Sequence, residues 1–166
     1  MPPAARITDN VAHPLPPILT GGPTAITVII GFLPAWRGIN PAAAAALQAA
    51  KAISEIAIKT AEAATVAAAV PPALGLPAAK LAEETTKATA AASMGSMISS
   101  MAGGSDIHAC LTPLPIPPHG PGVVITPSAT VMLSNMPAAR MGDTILEAVG
   151  PPNKIVKGEM TVIIGG

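Results

Sequence analysis

Tyrosine is absent from the 166 residues, and Phe32 and Trp36 are the only large aromatics. A core built on aromatic rings is thereby excluded, and whatever core forms must come from small aliphatic side chains. Cysteine occurs once, as Cys110. No intrachain disulfide can form, and thiol usage gives no sign of an oxidising compartment. Charge is also scarce, at 11% of residues with a formal net charge of zero, so no basic surface for nucleic acid is implied. The opening Met1-Pro2-Pro3-Ala4-Ala5-Arg6 lacks the apolar stretch of a signal peptide, and synthesis and folding in the cytoplasm are expected. There is no His-Glu-x-x-His helix, no Gly-x-Ser-x-Gly elbow and no glycine loop suited to phosphate, so no enzyme is expected.

Proline and glycine are abundant instead, at 20 and 15 residues. They cut the aliphatic sequence into short segments, which predicts a compact, turn-rich, mainly β structure that gains from a metal staple. The ligands for one are present. His13, His108 and His119 are all the histidines of the chain, and with Cys110 they make three imidazoles and one thiolate, a full tetrahedral set for zinc. The spacing His108-x-Cys110 is not a standard zinc knuckle, and on composition alone polar loop histidines and a buried thiol account for these residues equally well. Four protein ligands would leave no open position and mark the site as structural. A zinc hydrolase would need a base beside the metal, and Asp106 is the sole nearby candidate.

Two interleaved repeats organise the rest. Pro3-Ala4-Ala5-Arg6 with Asp9 recurs as Pro34-Ala35-Trp36-Arg37 with Asn40 and as Pro137-Ala138-Ala139-Arg140 with Asp143. Thr27-Val28-Ile29-Ile30-Gly31 recurs as Thr130-Val131-Met132-Leu133-Ser134 and as Thr161-Val162-Ile163-Ile164-Gly165. The second set is β-branched, short and bounded by Gly or Pro, which reads as strands. The first set reads as turns leaving those strands, because proline fixes its own φ and cannot donate to a ladder. An arginine–carboxylate pair pinning each turn is the expected role of Arg6 with Asp9, of Arg140 with Asp143, and by position of Arg37 with Asn40. Direct contact of these arginines with a partner is the alternative. Trp36 reads as local packing.

These motifs resemble the PAAR-repeat family, the spike-tip proteins of contractile injection systems such as type VI secretion machines and related phage-tail-like devices. The resemblance covers residues 1–40 and 105–166. It implies a small cone of β-hairpins with pseudo-threefold repeats. The base of that cone would cap a trimeric spike of the VgrG or phage-spike type, one copy per trimer. It also implies structural zinc near the apex, at the positions His13, His108, Cys110 and His119. A tip of this kind would leave the cell with the apparatus, meet a target membrane transiently and carry effector cargo. A free-standing zinc-binding adaptor for an effector is the alternative, and the end at Gly165-Gly166 leads us to expect no attached toxin domain.

Residues 41–104 are different material, alanine-rich and helical. Asn40 suits an N-cap and Pro41 the first helical position, so one helix is expected from Pro41 to Val70. Pro71-Pro72 end it, and a second helix is expected from Ala78 to Met101, stopped by Gly103-Gly104. Lys51, Glu55, Lys59 and Glu62, like Lys80, Glu83, Glu84 and Lys87, recur at helical spacing and read as a solvated stripe. Ile53, Ile56 and Val66 then read as the packing face. A water-soluble hairpin lying against the cone, the spike or a cargo is the expectation, rather than a membrane-spanning one.

Overall fold

The computed structural model describes residues 1–12, 18–70, 75–110 and 119–165. The strands are β1 (Pro3–Ala4), β2 (Gly21–Gly22), β3 (Ala25–Ile30), β4 (Leu33–Ala35), β5 (Ile107–Cys110), β6 (Gly120–Val124), β7 (Met132–Leu133), β8 (Met136–Pro137), β9 (Thr144–Glu147), β10 (Asn153–Lys154) and β11 (Glu159–Ile163). Helices α1 (Pro41–Ala68) and α2 (Leu76–Met101) enter between β4 and β5. The chain is mainly β with an inserted helical hairpin. Three two-stranded ribbons, β3–β4, β7–β8 and β1–β11, accompany one five-stranded antiparallel sheet in the order β10-β9-β6-β5-β2.

The ribbons are the interleaved repeats folded, and the Pro-Ala segments expected as turns are instead strands, in β1, β4 and β8, since a two-stranded ribbon has only edge strands and tolerates proline. Gly31 and Phe32 turn β3 into β4 with φ of 52° and 69°, and Ser134 and Asn135 turn β7 into β8 with φ of 49° and 65°. Positive φ at both central residues is the tight hairpin turn whose twist matches its strands. The third ribbon pairs the last strand with the first, Pro3 opposite Ile163. In each ribbon the repeat valine turns inward, and Val28, Val131 and Val162 pack on a common core of Ala4, Ala25, Ile30, Ala35, Ala138 and Ile164.

One level further along each repeat, the chain closes a ring. Trp36 N–H donates to Ala5 O at 2.9 Å, Ala139 N–H to Trp36 O at 2.9 Å, and Ala5 N–H to Ala139 O at 3.0 Å. The isolated bridges Arg6 to Ala35, Arg37 to Ala138 and Ala4 to Arg140 follow the same cycle. Three copies of one motif thus satisfy each other's backbone groups around a pseudo-threefold axis, which uniform repeats can do without an edge strand left over. Trp36 stands where the other copies have alanine and is fully buried with Ala5, Ala139, Val124, Ile145 and Ile155. It is core packing.

The hairpin is set by its root. Asn40 Oδ1 accepts from Ala43 N–H at 2.8 Å, capping α1 with Pro41 in the first turn. Gly103 and Gly104, at φ of 58° and 97°, lead the chain out of α2. Ala43, Ala44 and Leu47 of α1 and Met94 and Ile98 of α2 join Ile39, Val123, Leu146 and Ala148 in one cluster, so the sheet face is covered by the helices. Gly95 lies against Pro121, where a β-carbon would approach the ring to 3.3 Å.

That root overturns the expected orientation of the helices. Ile53, Ile56 and Val66 are 71%, 66% and 72% exposed, whereas Lys51 and Lys87 are buried. Residues 47, 51, 55, 58, 62 and 65 share one face of a helix, and because Leu47 is anchored on the sheet that face turns Lys51 inward, while Glu55 and Glu62 are half-buried and Lys59, Lys80 and Glu84 stay exposed as expected. The inward charges are used. Lys87 Nζ bridges Glu83 of its own helix and, at 2.7 Å, Glu62 of the other. Lys51 Nζ donates to Ala148 O at 3.1 Å, and burial pushes its ammonium below the usual lysine range against the pull of Glu55 and Glu147. Among the described residues no helix is long and apolar enough to cross a membrane.

Candidate metal centre

Each ring residue is followed by an arginine, and each arginine by a carboxylate that holds it twice. Asp9 Oδ2 accepts from Arg6 N–H at 2.8 Å, and Asp9 Oδ1 meets Arg6 Nη2 at 2.9 Å. Asp143 repeats both contacts with Arg140, at 2.7 and 3.2 Å. Burial raises the Asp143 carboxyl above its ordinary range and the Arg140 pairing works against that. For Arg6 the hydrogen bond to Asp9 leads the upward shift. Arg6 and Arg37 are buried, so the clamps are internal supports of the ring.

The second copy corrects the sequence reading. Arg37 is held by Asp106, whose Oδ2 accepts the Arg37 N–H at 2.7 Å and whose Oδ1 meets Nη2 at 2.8 Å, while Asn40 serves the helix as its cap. The hairpin is therefore inserted inside the motif, between the arginine and its carboxylate. Position in sequence nominated Asn40 because the insertion begins there. An amide has no charge to hold a buried guanidinium, so the carboxylate returning after the hairpin takes the place.

Past the clamps the chain enters the five-stranded sheet, and its pairing gathers the metal-binding side chains. In the register of β5, β6 and β9, Cys110 faces Gly120, His108 faces Gly122, and Gly122 in turn faces Glu147. A β-carbon at Gly122 would come within 2.9 Å of Ile145 Cγ2 and 3.0 Å of Glu147 Cγ, so only glycine lets these side chains meet across the sheet. Donor atoms of Cys110, His119 and Glu147 all lie within 4.8 Å of one another. Glu147 Oε2 is 2.7 Å from His119 Nδ1, and Oε1 is 3.4 Å from Asn153 Nδ2 and 4.0 Å from His108 Nε2. Cys110, His108 and Glu147 are each about 1% exposed. A thiol, an imidazole and a carboxylate are all ordinary ligands of a divalent metal such as zinc, so the donor chemistry fits one.

Of the expected ligands, His108, Cys110 and His119 are brought to this corner of the sheet, and His13 lies outside the described residues. His108 Nδ1 accepts the Thr20 N–H at 3.4 Å, which ties its ring to the neighbouring strand. Glu147 was missed by sequence reasoning that counted only His and Cys. A signal existed. Counting four residues on from the clamp carboxylates Asp9, Asp106 and Asp143 gives His13, Cys110 and Glu147, one per repeat.

A family model for the PAAR motif matches residues 116–166. The chain carries a PAAR motif. The match takes in His119, Glu147, the third clamp and the last repeat strand. The hydrogen-bonded ring extends beyond the matched residues, since Ala5 and Trp36 contribute to it. No curated protein and no solved structure matches the chain.

Proposed function

We propose that this PAAR chain is the tip of a contractile injection machine, of type VI or phage-tail-like kind, capping a trimeric VgrG-like spike as a single copy. One observation carries the reading. The equivalent residues Ile29, Met132 and Ile163, one from each ribbon, are exposed to nearly the same extent, 55%, 54% and 47%. Ile26 and Met160 are open as well, and Phe32 adds to one ribbon alone, so each ribbon exposes a large apolar side chain at the same repeat position. A surface of this symmetry suits a partner that presents the same apolar contact three times, whereas a free-standing adaptor has no use for it.

In this reading the chain performs no reaction. Cys110, His119 and the histidines His13 and His108, with Glu147, are the residues available to hold a structural zinc, which joins strands distant in sequence where the narrowing body has little apolar volume to bury. The exposed Ile53, Ile56, Val66 and Leu81 of the hairpin are the place for effector attachment, and the tip leaves the cell with the apparatus and meets the target membrane ahead of it.

Mixing the purified chain with candidate trimeric spikes and measuring the mass of the complex tests the proposal. One chain per trimer is expected. A chain that forms its own homotrimer, or that binds three to a spike, contradicts it.

A further inference from the structure

We propose that Glu147 is a direct ligand of the metal held by Cys110 and His119. This rests on the structural-metal reading above and specifies its donor set.

Four observations converge on the carboxylate. Glu147 occupies in the third repeat the offset that Cys110 occupies in the second, four residues after the clamp carboxylate, so the pseudo-symmetry delivers both side chains to one place. Its own donor lies within 4.8 Å of those of Cys110 and His119. Its Oε2 also lies 2.7 Å from His119 Nδ1, so the carboxylate reaches the imidazole directly.

Burial gives the fourth reason. Glu147 is 1% exposed, and a divalent ion with one thiolate and one carboxylate is neutral overall.

The test uses the full chain, stripped with a chelator and titrated with Zn²⁺ against a chromophoric competitor and with Co²⁺ for its spectrum. Glu147→Gln is expected to weaken Zn²⁺ binding roughly 10- to 100-fold or more, at least as much as losing an outer-shell partner does. Glu147→Cys distinguishes a ligand from an orienting group. It is expected to restore tight binding and to raise the intensity of the thiolate-to-Co²⁺ charge-transfer band well above that of the wild type, because a second sulfur then touches the metal. An unchanged affinity in Glu147→Gln, or a Glu147→Cys spectrum with the wild-type thiolate band, overturns the assignment of Glu147 while leaving the metal site standing. If Glu147→Gln fails to fold, the Glu147→Cys spectrum decides alone. A wild-type chain that binds neither ion overturns the structural-metal reading itself.

Discussion

Asp106 is where one side chain repairs a motif that the insertion has split. Its carboxylate holds a buried guanidinium and a backbone N–H, and it is itself fully buried. Removing one partner of such a pair leaves the other charge buried and uncompensated, which costs about 3–5 kcal/mol. Asp106→Ala is therefore expected to lower the unfolding free energy by about that amount in denaturant titrations, and Asn40→Ala, which deletes only a helix cap, by about 1 kcal/mol. Equal losses in the two variants would mean that Arg37 is not held as the structure has it. Trp36 teaches a related lesson. Its burial at the ring shows that the axis of the repeats has room for an indole in one copy because the other two contribute only methyl groups.

At the scale of elements, the hairpin is two things joined. Its root belongs to the body, since Leu47, Met94 and Ile98 cover Val123 and Leu146 of the sheet. Its far end is an alanine-rich pair of helices crossed by the Glu62–Lys87–Glu83 bridge, with Ile53, Ile56 and Val66 facing out. Leu47→Ala is expected to cost about 2–5 kcal/mol through the cavity it opens, and Ile53→Ala to stay within about 0.5 kcal/mol. Thermal or chemical denaturation of the two variants checks both. The same division means that excising residues 41–104 whole would bare the sheet face, whereas shortening the hairpin beyond Lys51 and before Lys87 keeps the root in place. If Leu47→Ala melts like the wild type, the root does not support the sheet.

Across the whole molecule, three ribbons, a hydrogen-bonded ring, three arginine clamps and a donor cluster succeed one another along each repeat. The ribbons expose Ile29, Met132 and Ile163, and a buried corner of the sheet gathers the residues that could hold a metal. The two sets share no residue and should respond independently to mutation. A Lys at Ile29, Met132 or Ile163 is expected to abolish or greatly weaken capping of a spike, because an unpaired charge would be desolvated at the centre of the contact. The same variants should keep their metal content and melting behaviour. Capping that survives all three changes, followed by co-sedimentation with the spike, would place the docking surface elsewhere.

How much of this was legible in the chain differs by element. The repeat strands, the helix start at Asn40-Pro41 and the helix stop at Gly103-Gly104 follow from local chemistry: β-branched runs, an amide cap and glycine's access to positive φ. The clamps of Arg6 with Asp9 and Arg140 with Asp143 were legible for the same reason, since each closes within three residues. Only the tertiary structure decided the partner of Arg37, because Asp106 stands 69 residues away and no local spacing points across an inserted hairpin. The rotation of α1 and α2 was likewise beyond reach. Alanine faces carry almost no hydrophobic preference, so the anchoring of Leu47 and Ile98 on the sheet turned Lys51 and Lys87 inward while Lys59, Lys80 and Glu84 stayed exposed. Glu147 joined the donor cluster through strand register across Gly122, and register is a relation between segments that no single stretch of sequence contains.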